Sequence, residues 1–359
     1  MFYLKKLHLA DFRCHKDLLL QFSPAINILV GRNACGKTSI VEAVHCLAFG
    51  KSYKVNLNTD IIRKGTEYSQ IKAEVINRDK TDDLVLIYNA KTKRIILNNK
   101  PIARLSDYLG YFNVVVFCPE DYRLIRGAPR DRRTFFDANI SQLSKRYLNA
   151  LMSYRKILKQ RNEILKSISE KRGLDRTLFK VITEQLIKEA KIIVFERHKF
   201  IDNINPFFSE KAQKISGCHE KGMIIYSPNT AYDQIESIYN NAISQEIALQ
   251  TTLFGPHRDD FTIQINNEKA GSFASQGQQK TLLLAIKLAL SELLEKEETP
   301  LIIILDDVFS ELDAKRQNQI LQMINKQKQI FITTTSIQSL TTELTDCSNI
   351  IKVNKEEHI

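Results

Sequence analysis

The sequence predicts an α/β fold: a mixed sheet around a glycine-rich loop and the helix it opens, with an inserted helical arm and no long coiled coil. Three observations predict it. "AINILVGRNACGKTS" (25–39) reads as a strand, a glycine-rich turn and the start of a helix. "PLIIILDDVF" (300–309) reads as a buried strand ending in two adjacent carboxylates. Between them, from 135 to 204, apolar residues recur at helical spacing. On this reading 1–135 and 246–359 form the head and 136–245 the arm. The helix 275–296 belongs to the head but is able to pack with the arm.

The bulk numbers set the frame. A chain of 359 residues, 43% hydrophobic and 26% charged, has an ordinary soluble composition and enough length for a sizeable core. No apolar run reaches the roughly 18 residues of a membrane span. The start, "MFYLKKLHLADFRCHKD", is interrupted by charge too often for a signal peptide. Six scattered cysteines without a C-x-x-C pair fit a reduced cytoplasmic chain without structural zinc. Net charge is +11, and residues 141–215 carry 17 Lys and Arg against 8 Asp and Glu. With "RLIRGAPRDRR" (123–133) this is either a solvated helix surface or a face that tracks nucleic-acid phosphates, and charge alone does not decide.

The elements follow in order. "YLKKLHLADF", "AINILVG", "SQIKAEVIN", "DDLVLIYNA" and "KRIILNNKPI" read as strands, the last with an Asn-Asn hairpin turn. A helix begins at Gly36 and runs through "KTSIVEAVHCLAF"; "YFNVVVFCPED" is a strand ended by Pro119. Leu143, Tyr147, Leu151, Tyr154 and Leu158 mark the first arm helix, and "KRGLD" (171–175) breaks it. A second arm helix runs from 176 to 204, before Pro206. Strands return at "GMIIYS" and at "DDFTIQINNEKAGSFA", again with an Asn-Asn turn. A helix opened by "SQGQQK", the strand before Asp306, a helix from about 312 and a strand "QIFITTTS" complete the chain.

"GRNACGKTS" matches G-x-x-x-x-G-K-[ST] between a strand and a helix, the context that motif requires. Gly31 and Gly36 let the backbone N–H groups of Arg32, Asn33, Ala34, Cys35, Lys37, Thr38 and Ser39 ring the phosphates of a nucleotide at a positive helix end. Lys37 is placed to reach the β- and γ-phosphates, and the Thr38 hydroxyl to ligate Mg²⁺. Asp306, at the end of a buried strand, is the carboxylate expected to hold that Mg²⁺ beside Thr38. Asp307, one residue on, is placed to polarise the attacking water as general base.

"ASQGQQKTLLLAIKLA" (274–289) supplies more polarity than a helix cap needs. The order of glycine-rich loop, long insertion, "SQGQQK" and acidic strand resembles the ABC-type ATPases, in which a Ser-Gly-Gly-Gln-like signature heads a helix just before the acidic strand. The resemblance implies that Ser275, Gly277 and Gln278 bind the γ-phosphate held by a second subunit, so that ATP and Mg²⁺ bring two copies together. It also implies that "SELD" (310–313) is the D-loop along that contact. The span from Lys37 to Asp306 is longer than in transporter ATPases and shorter than in SMC proteins, whose span is filled by coiled coil. "LHLADFRCHKDLLLQFSPAINILVGRNACGKTS" resembles the SMC-like heads, where Arg13 and His15 match an "NFR-x-H" turn and Arg13 approaches the nucleotide. "DIIRKG" (60–65) matches a segment of that class near the base or ribose, and Glu120 is the candidate for the Q-loop glutamine position.

"VVVFCPEDYRLIRGAPRDRRTFFD", "YLNALMSYRKILKQRNEILK" and "LFGPHRDDFTI", together with the signature stretch, are similar to the RecF family of bacterial replication and repair proteins, over nearly the whole chain. That resemblance implies a weak, DNA-stimulated ATPase that dimerises on ATP, binds duplex DNA near duplex–single-strand junctions and acts with RecR and RecO in loading recombinase. It implies a cytoplasmic, nucleoid-associated protein without a membrane partner. Two departures from the ABC pattern point to slow turnover: Asp307 stands where Glu is usual, and "FITTTS" offers Thr333 to Thr335 in place of a switch histidine. His257 and Arg258 have no derivable role beyond ordering their loop. Two other readings fit the phosphate loop and the acidic strand: a transporter ATPase subunit and a scaffold that uses ATP only to hold a dimer. The first needs a membrane-protein partner and no DNA affinity; the second needs negligible turnover.

Overall fold

A computed structural model of the chain describes residues 2–55, 57–169, 176–296, 300–308, 317, 322–324 and 328–354. Two compact units emerge: Met1–Asp121 with Lys287–Ile359, and Tyr122–Ile286. The second reaches beyond the 136–245 expected of the arm at both ends. Its flanks are tied together by polar side chains. Arg132 is bidentate on Asp260, at 2.8 Å for each bond, and Arg126 Nε donates to Gln279 Oε1 at 2.7 Å.

The first unit opens with β1 (Phe2–Phe12), β2 (His15–Gln21), β3 (Ile26–Val30) and helix α1 (Lys37–Phe49). There follow β4 (Tyr68–Asn77), β5 (Lys80–Asn89), β6 (Lys93–Leu97), β7 (Lys100–Pro101), the single turn α2 (Leu105–Tyr108) and β8 (Asn113–Phe117). The second unit holds α3 (Arg123–Arg126), α4 (Pro129–Leu143), α5 (Lys145–Ser169), α6 (Arg176–Ser216), β9 (Gly222–Ser227), α7 (Ile235–Asn241) and α8 (Ile243–Leu249). It ends with β10 (Asp260–Ile265), β11 (Glu268–Lys269), α9 (Ala270–Phe273) and the start of α10 (Gln276–Lys296), which from Lys287 counts with the first unit. The chain closes with β12 (Leu301–Asp306), β13 (Gln329–Thr334) and β14 (Ser348–Lys352).

The mixed sheet takes the form of two sheets in the first unit. One is parallel, in the order β14-β3-β13-β12-β8. The other is antiparallel, in the order β2-β1-β4-β5-β6-β7. Every residue of β12 and β13 is buried, which is why 301–305 and 330–334 read as unbroken apolar or Thr runs rather than alternating ones. Buried Gln329 ties the sheets together: its amide donates to the carbonyls of Leu4 (2.8 Å) and Ser23 (2.9 Å) and accepts from the Leu4 N–H at 2.8 Å. The arrangement leaves the loop after β3 and the ends of β12 and β13 at the carboxyl edge of one parallel sheet, where α/β folds place ligands.

Both Asn-Asn turns form as read. Asn98 and Asn99 have φ of 50° and 63°, Asn266 and Asn267 of 48° and 69°, the left-handed pair that a two-residue hairpin requires. The arm is a helical hairpin of α5 and α6, as the spacing implied. One boundary differs: α6 does not stop before Pro206 but continues to Ser216. The missing N–H of Pro206 costs one helical bond, but Ile204 before it and Phe208 and Ala212 beyond it are fully buried, and that packing holds the helix together. The expected D-loop, 310–313, and the start of the helix from about 312 lie outside the described residues.

Candidate functional site

The loop 31–36 is shaped by two glycines with no room for a side chain. A Cβ on Gly31 would lie 2.3 Å from the Val353 carbonyl oxygen and 2.6 Å from Cys35 Sγ. Gly36 has φ 98°, and a Cβ there would meet His15 Nε2 at 2.4 Å and Cys14 Sγ at 2.8 Å. Ala34 is also left-handed, at φ 61°. Gly36 caps α1 without a side-chain hydrogen bond, and the first turn carries no acid. Its first N–H groups therefore form an anion cradle at a positive helix end. Lys37 is buried and folds over the loop, its ammonium donating to the carbonyls of Gly31 (2.7 Å) and Arg32 (2.9 Å). A triphosphate fits this cradle: both glycines clear the backbone path, and a cation already lies over it.

Asp306 is 1% exposed and gathers donors from three distant segments. Its Oδ1 accepts from Thr38 Oγ1 at 3.0 Å and from Thr333 Oγ1 at 2.9 Å; its Oδ2 accepts from Tyr53 OH at 2.9 Å. The Thr38 hydroxyl and the Asp306 carboxylate thus form one oxygen-rich corner beside the loop, a donor set suited to Mg²⁺. Burial, followed by the charge of Asp306, keeps the Tyr53 phenol protonated far above its ordinary range.

Asp307 is exposed at the mouth of β12 and left-handed, at φ 56°. Its N–H donates to Thr333 Oγ1 at 2.9 Å. Asp tolerates that conformation better than most residues. Of the three threonines expected near a switch histidine, Thr333 is committed to Asp306 and Asp307, and Thr334 Oγ1 donates to the Ser336 carbonyl at 3.0 Å. Thr335 is the exposed one.

Arg13 is held rather than free. Its guanidinium donates to both carboxylate oxygens of Glu42, one turn beyond Thr38 on α1, and to the Asp60 carbonyl. It braces the β1–β2 turn against the loop helix, a role its sequence match to the turn did not foresee. The "DIIRKG" segment lines a cavity of about 660 Å³ through Ile62, Arg63, Lys64 and Gly65, with Asn89–Thr92 opposite.

In the second unit, Ser275 and Gln278 form a reciprocal cap: Ser275 Oγ accepts from the Gln278 N–H at 3.3 Å, and Gln278 Oε1 from the Ser275 N–H at 2.9 Å. Gln279 is buried and spends its amide on the Ala274 carbonyl (2.9 Å) and on Arg126. Capping and anchoring thus account for three of the polar residues. Gly277 is different: a Cβ there would meet nothing nearer than Ser275 Oγ at 4.0 Å. Among the described residues, nothing in its own chain demands a glycine there. Phe273, just before the cap, is 69% exposed.

"GPHRDD" is a keystone of the second unit. Gly255 has φ 121°, and a Cβ there would lie 2.0 Å from Tyr239 Oη. Buried Arg197 donates to Asp259 Oδ2, Asp137 Oδ1 (both 2.7 Å) and the Pro256 carbonyl (2.9 Å), and Tyr226 donates to Asp259. Burial lowers the His257 ring to about 4, so it is neutral; Nε2–H donates to the Thr252 carbonyl (3.2 Å) and Nδ1 accepts from Tyr154 OH (2.7 Å). Arg258 Nη2 donates to the same Thr252 carbonyl at 3.4 Å. The loop-ordering role fits both residues. Part of the basic surplus is likewise internal. Arg161 is fully buried 2.7 Å from Glu246 Oε2, and Arg132 and Arg133 are held by Asp260 and the Asp259 carbonyl.

Sequence reasoning missed Glu42, Tyr53, Lys54 and the Arg197 cluster. Tyr53 and Lys54 lie in an irregular turn, and the partners of Arg197 are far away in sequence.

The family model described as "RecF/RecN/SMC N terminal domain" matches residues 3–358. The DNA replication and repair protein RecF of Lactobacillus johnsonii is 38% identical, covering 99% of this chain and 97% of the relative. That of Staphylococcus carnosus is 35% identical over 99% of both. A solved structure of the recombination mediator protein RecF with ATP is 30% identical, with a TM-score of 0.90, covering 99% of this chain and 96% of its own. The Smc head domain of Pyrococcus furiosus, at 18% identity and a TM-score of 0.55, shares the head fold. The phosphate cradle, the buried carboxylate and this full-length similarity agree, and the chain belongs to the RecF family within the RecF/RecN/SMC class.

Proposed function

We propose that the chain is a slow ATPase that serves as a recombination mediator: it binds ATP and Mg²⁺, pairs with a second copy, and holds duplex DNA near duplex–single-strand junctions together with RecR and RecO. The observation that carries this reading is the hydrogen bond between Thr38 and Asp306, which joins the phosphate loop to a buried carboxylate. In the proposed cycle the loop N–H groups and Lys37 bind the phosphates. Thr38 and Asp306 hold Mg²⁺, which when bound neutralises charge on the β- and γ-phosphates. Asp307 takes the proton of the attacking water. A carboxylate one methylene shorter than Glu reaches that water less well, which suits a timer.

The signature is proposed to act on the nucleotide of the second copy. Open space at Gly277 supports close backbone approach to a γ-phosphate, and exposed Phe273 supports burial against a partner. The duplex reading is supported by α5, where Lys145, Lys156, Lys159 and Lys166 are all exposed at helical spacing. From first to last they cover about 30 Å at 1.5 Å per residue, close to one turn of duplex. RecR and RecO enter from the RecFOR pathway named for the solved relative.

Light scattering with ATP–Mg²⁺ tests the dimer. The parent chain doubles in mass; Ser275→Arg binds nucleotide and stays monomeric. Normal dimerisation of Ser275→Arg overturns the assignment of the signature.

A further inference from the structure

The turn 51–54 belongs to no motif read from the sequence, yet it addresses a buried carboxylate of the site. Tyr53 OH donates to Asp306 Oδ2 at 2.9 Å. Lys54 Nζ stands 3.6 Å from that same oxygen and 3.6 Å from Glu120 Oε1. The turn is built to hold them there. Ser52 Oγ accepts from the N–H groups of Lys54 (2.8 Å) and Val55 (3.1 Å) and donates to Glu42 on α1. The Tyr53 ring packs edge-on against His45, with centroids 5.1 Å apart.

The four lone-pair positions of Asp306 decide what this means. Thr38 and Thr333 take those of Oδ1, and Tyr53 takes one at Oδ2. The Lys54 ammonium also approaches Oδ2, at 3.6 Å, with Glu120 as its second carboxylate at the same distance. A monovalent cation bridging two carboxylates offers a weaker version of the electrostatics of a divalent ion at the same place.

We propose that Tyr53 and Lys54 form a latch on Asp306, in which the Lys54 ammonium stands in for the divalent cation between Asp306 and Glu120 and must be displaced when metal and nucleotide bind. The proposal rests on the nucleotide-binding reading above and adds a regulatory element to it. The latch keeps a buried carboxylate compensated before the metal arrives, where an unpaired charge is costly. It also competes with the metal: binding is weakened by the fraction of molecules that remain latched. Loading of the site therefore releases the 51–54 turn from Asp306.

The test is the Mg²⁺ concentration that gives half-maximal binding of a fluorescent ATP analogue, read by anisotropy without turnover. Lys54→Gln and Tyr53→Phe each lower that concentration, by roughly fivefold for one interaction of ordinary net strength. Tyr53→Phe keeps the ring packing, so its result stands even if Lys54→Gln fails to fold. An unchanged or higher Mg²⁺ midpoint in the folded variants overturns the latch. Weaker nucleotide binding by Lys54→Gln at every Mg²⁺ concentration also overturns it, because Lys54 is then a phosphate ligand. If the parent chain binds no nucleotide at any Mg²⁺ concentration, the nucleotide reading itself falls and the latch falls with it.

Discussion

Thr38, on the first turn of α1, and Asp306, at the end of β12, are 268 positions apart and joined by a hydrogen bond of 3.0 Å. The bond is the point at which the two chemical landmarks of the sequence become one site. It brings the hydroxyl and the carboxylate of an ordinary Mg²⁺–nucleotide corner within reach of the same cation.

Asp306→Asn keeps the size of the side chain but removes its charge. ATP turnover is expected to fall at least about 100-fold, while nucleotide binding in the absence of Mg²⁺ stays near that of the parent. Asp306→Ala leaves the Thr38, Thr333 and Tyr53 hydroxyls without their acceptor. It is expected to cost about 2 kcal/mol or more of stability in urea denaturation, which Asp306→Asn largely avoids.

Gly277→Ala separates folding from function. Among the described residues the added methyl meets nothing nearer than Ser275 Oγ at 4.0 Å, and Ala favours the helix, so stability should hold or rise by up to about 1 kcal/mol. The ATP-dependent dimer should weaken in light scattering, because the methyl occupies the approach to the partner's nucleotide. A variant both more stable and fully dimeric would show that the glycine serves neither purpose.

Mild acid should loosen the second unit through His257. Its ring is held near 4 against an ordinary 6.5, first by burial and then by the charges of Arg258, Arg133 and Arg161, against a raising hydrogen bond from Thr252. The unfolded chain takes up a proton between those values and the folded chain does not. The stabilisation is therefore complete above pH 6.5 and lost as pH falls towards 4. At pH 5 the loss is about 2 kcal/mol for this one group. Urea midpoints at pH 7.5 and pH 5 should differ accordingly, and His257→Gln should narrow the difference.

The legible parts of this chain were those set by local rules. A glycine that must be left-handed, a strand buried on both faces, an Asn-Asn turn and an apolar face at helical spacing each leave a signature within a few residues. Pro206 shows where local rules fail, because the packing of Phe208 and Ala212 outweighs one lost helical bond. Charge counting failed in a related way. In a tally of charge Arg161 and Arg197 count the same as the exposed lysines of α5, but both are buried against acids far along the chain. Tyr53 and Lys54 left no trace at all, since their partner Asp306 is placed by the sheet rather than by sequence spacing.

The central claim is that nucleotide, signature and basic helix act as one ATP-gated grip on duplex DNA. Its most direct test is the anisotropy of a labelled duplex, with ATP–Mg²⁺ and without nucleotide, at two salt concentrations, for the parent chain and for Lys156→Glu with Lys159→Glu. The account predicts tight binding that requires ATP, weakens with salt and falls at least about tenfold in the double variant. Absence of duplex binding in both nucleotide states would contradict it.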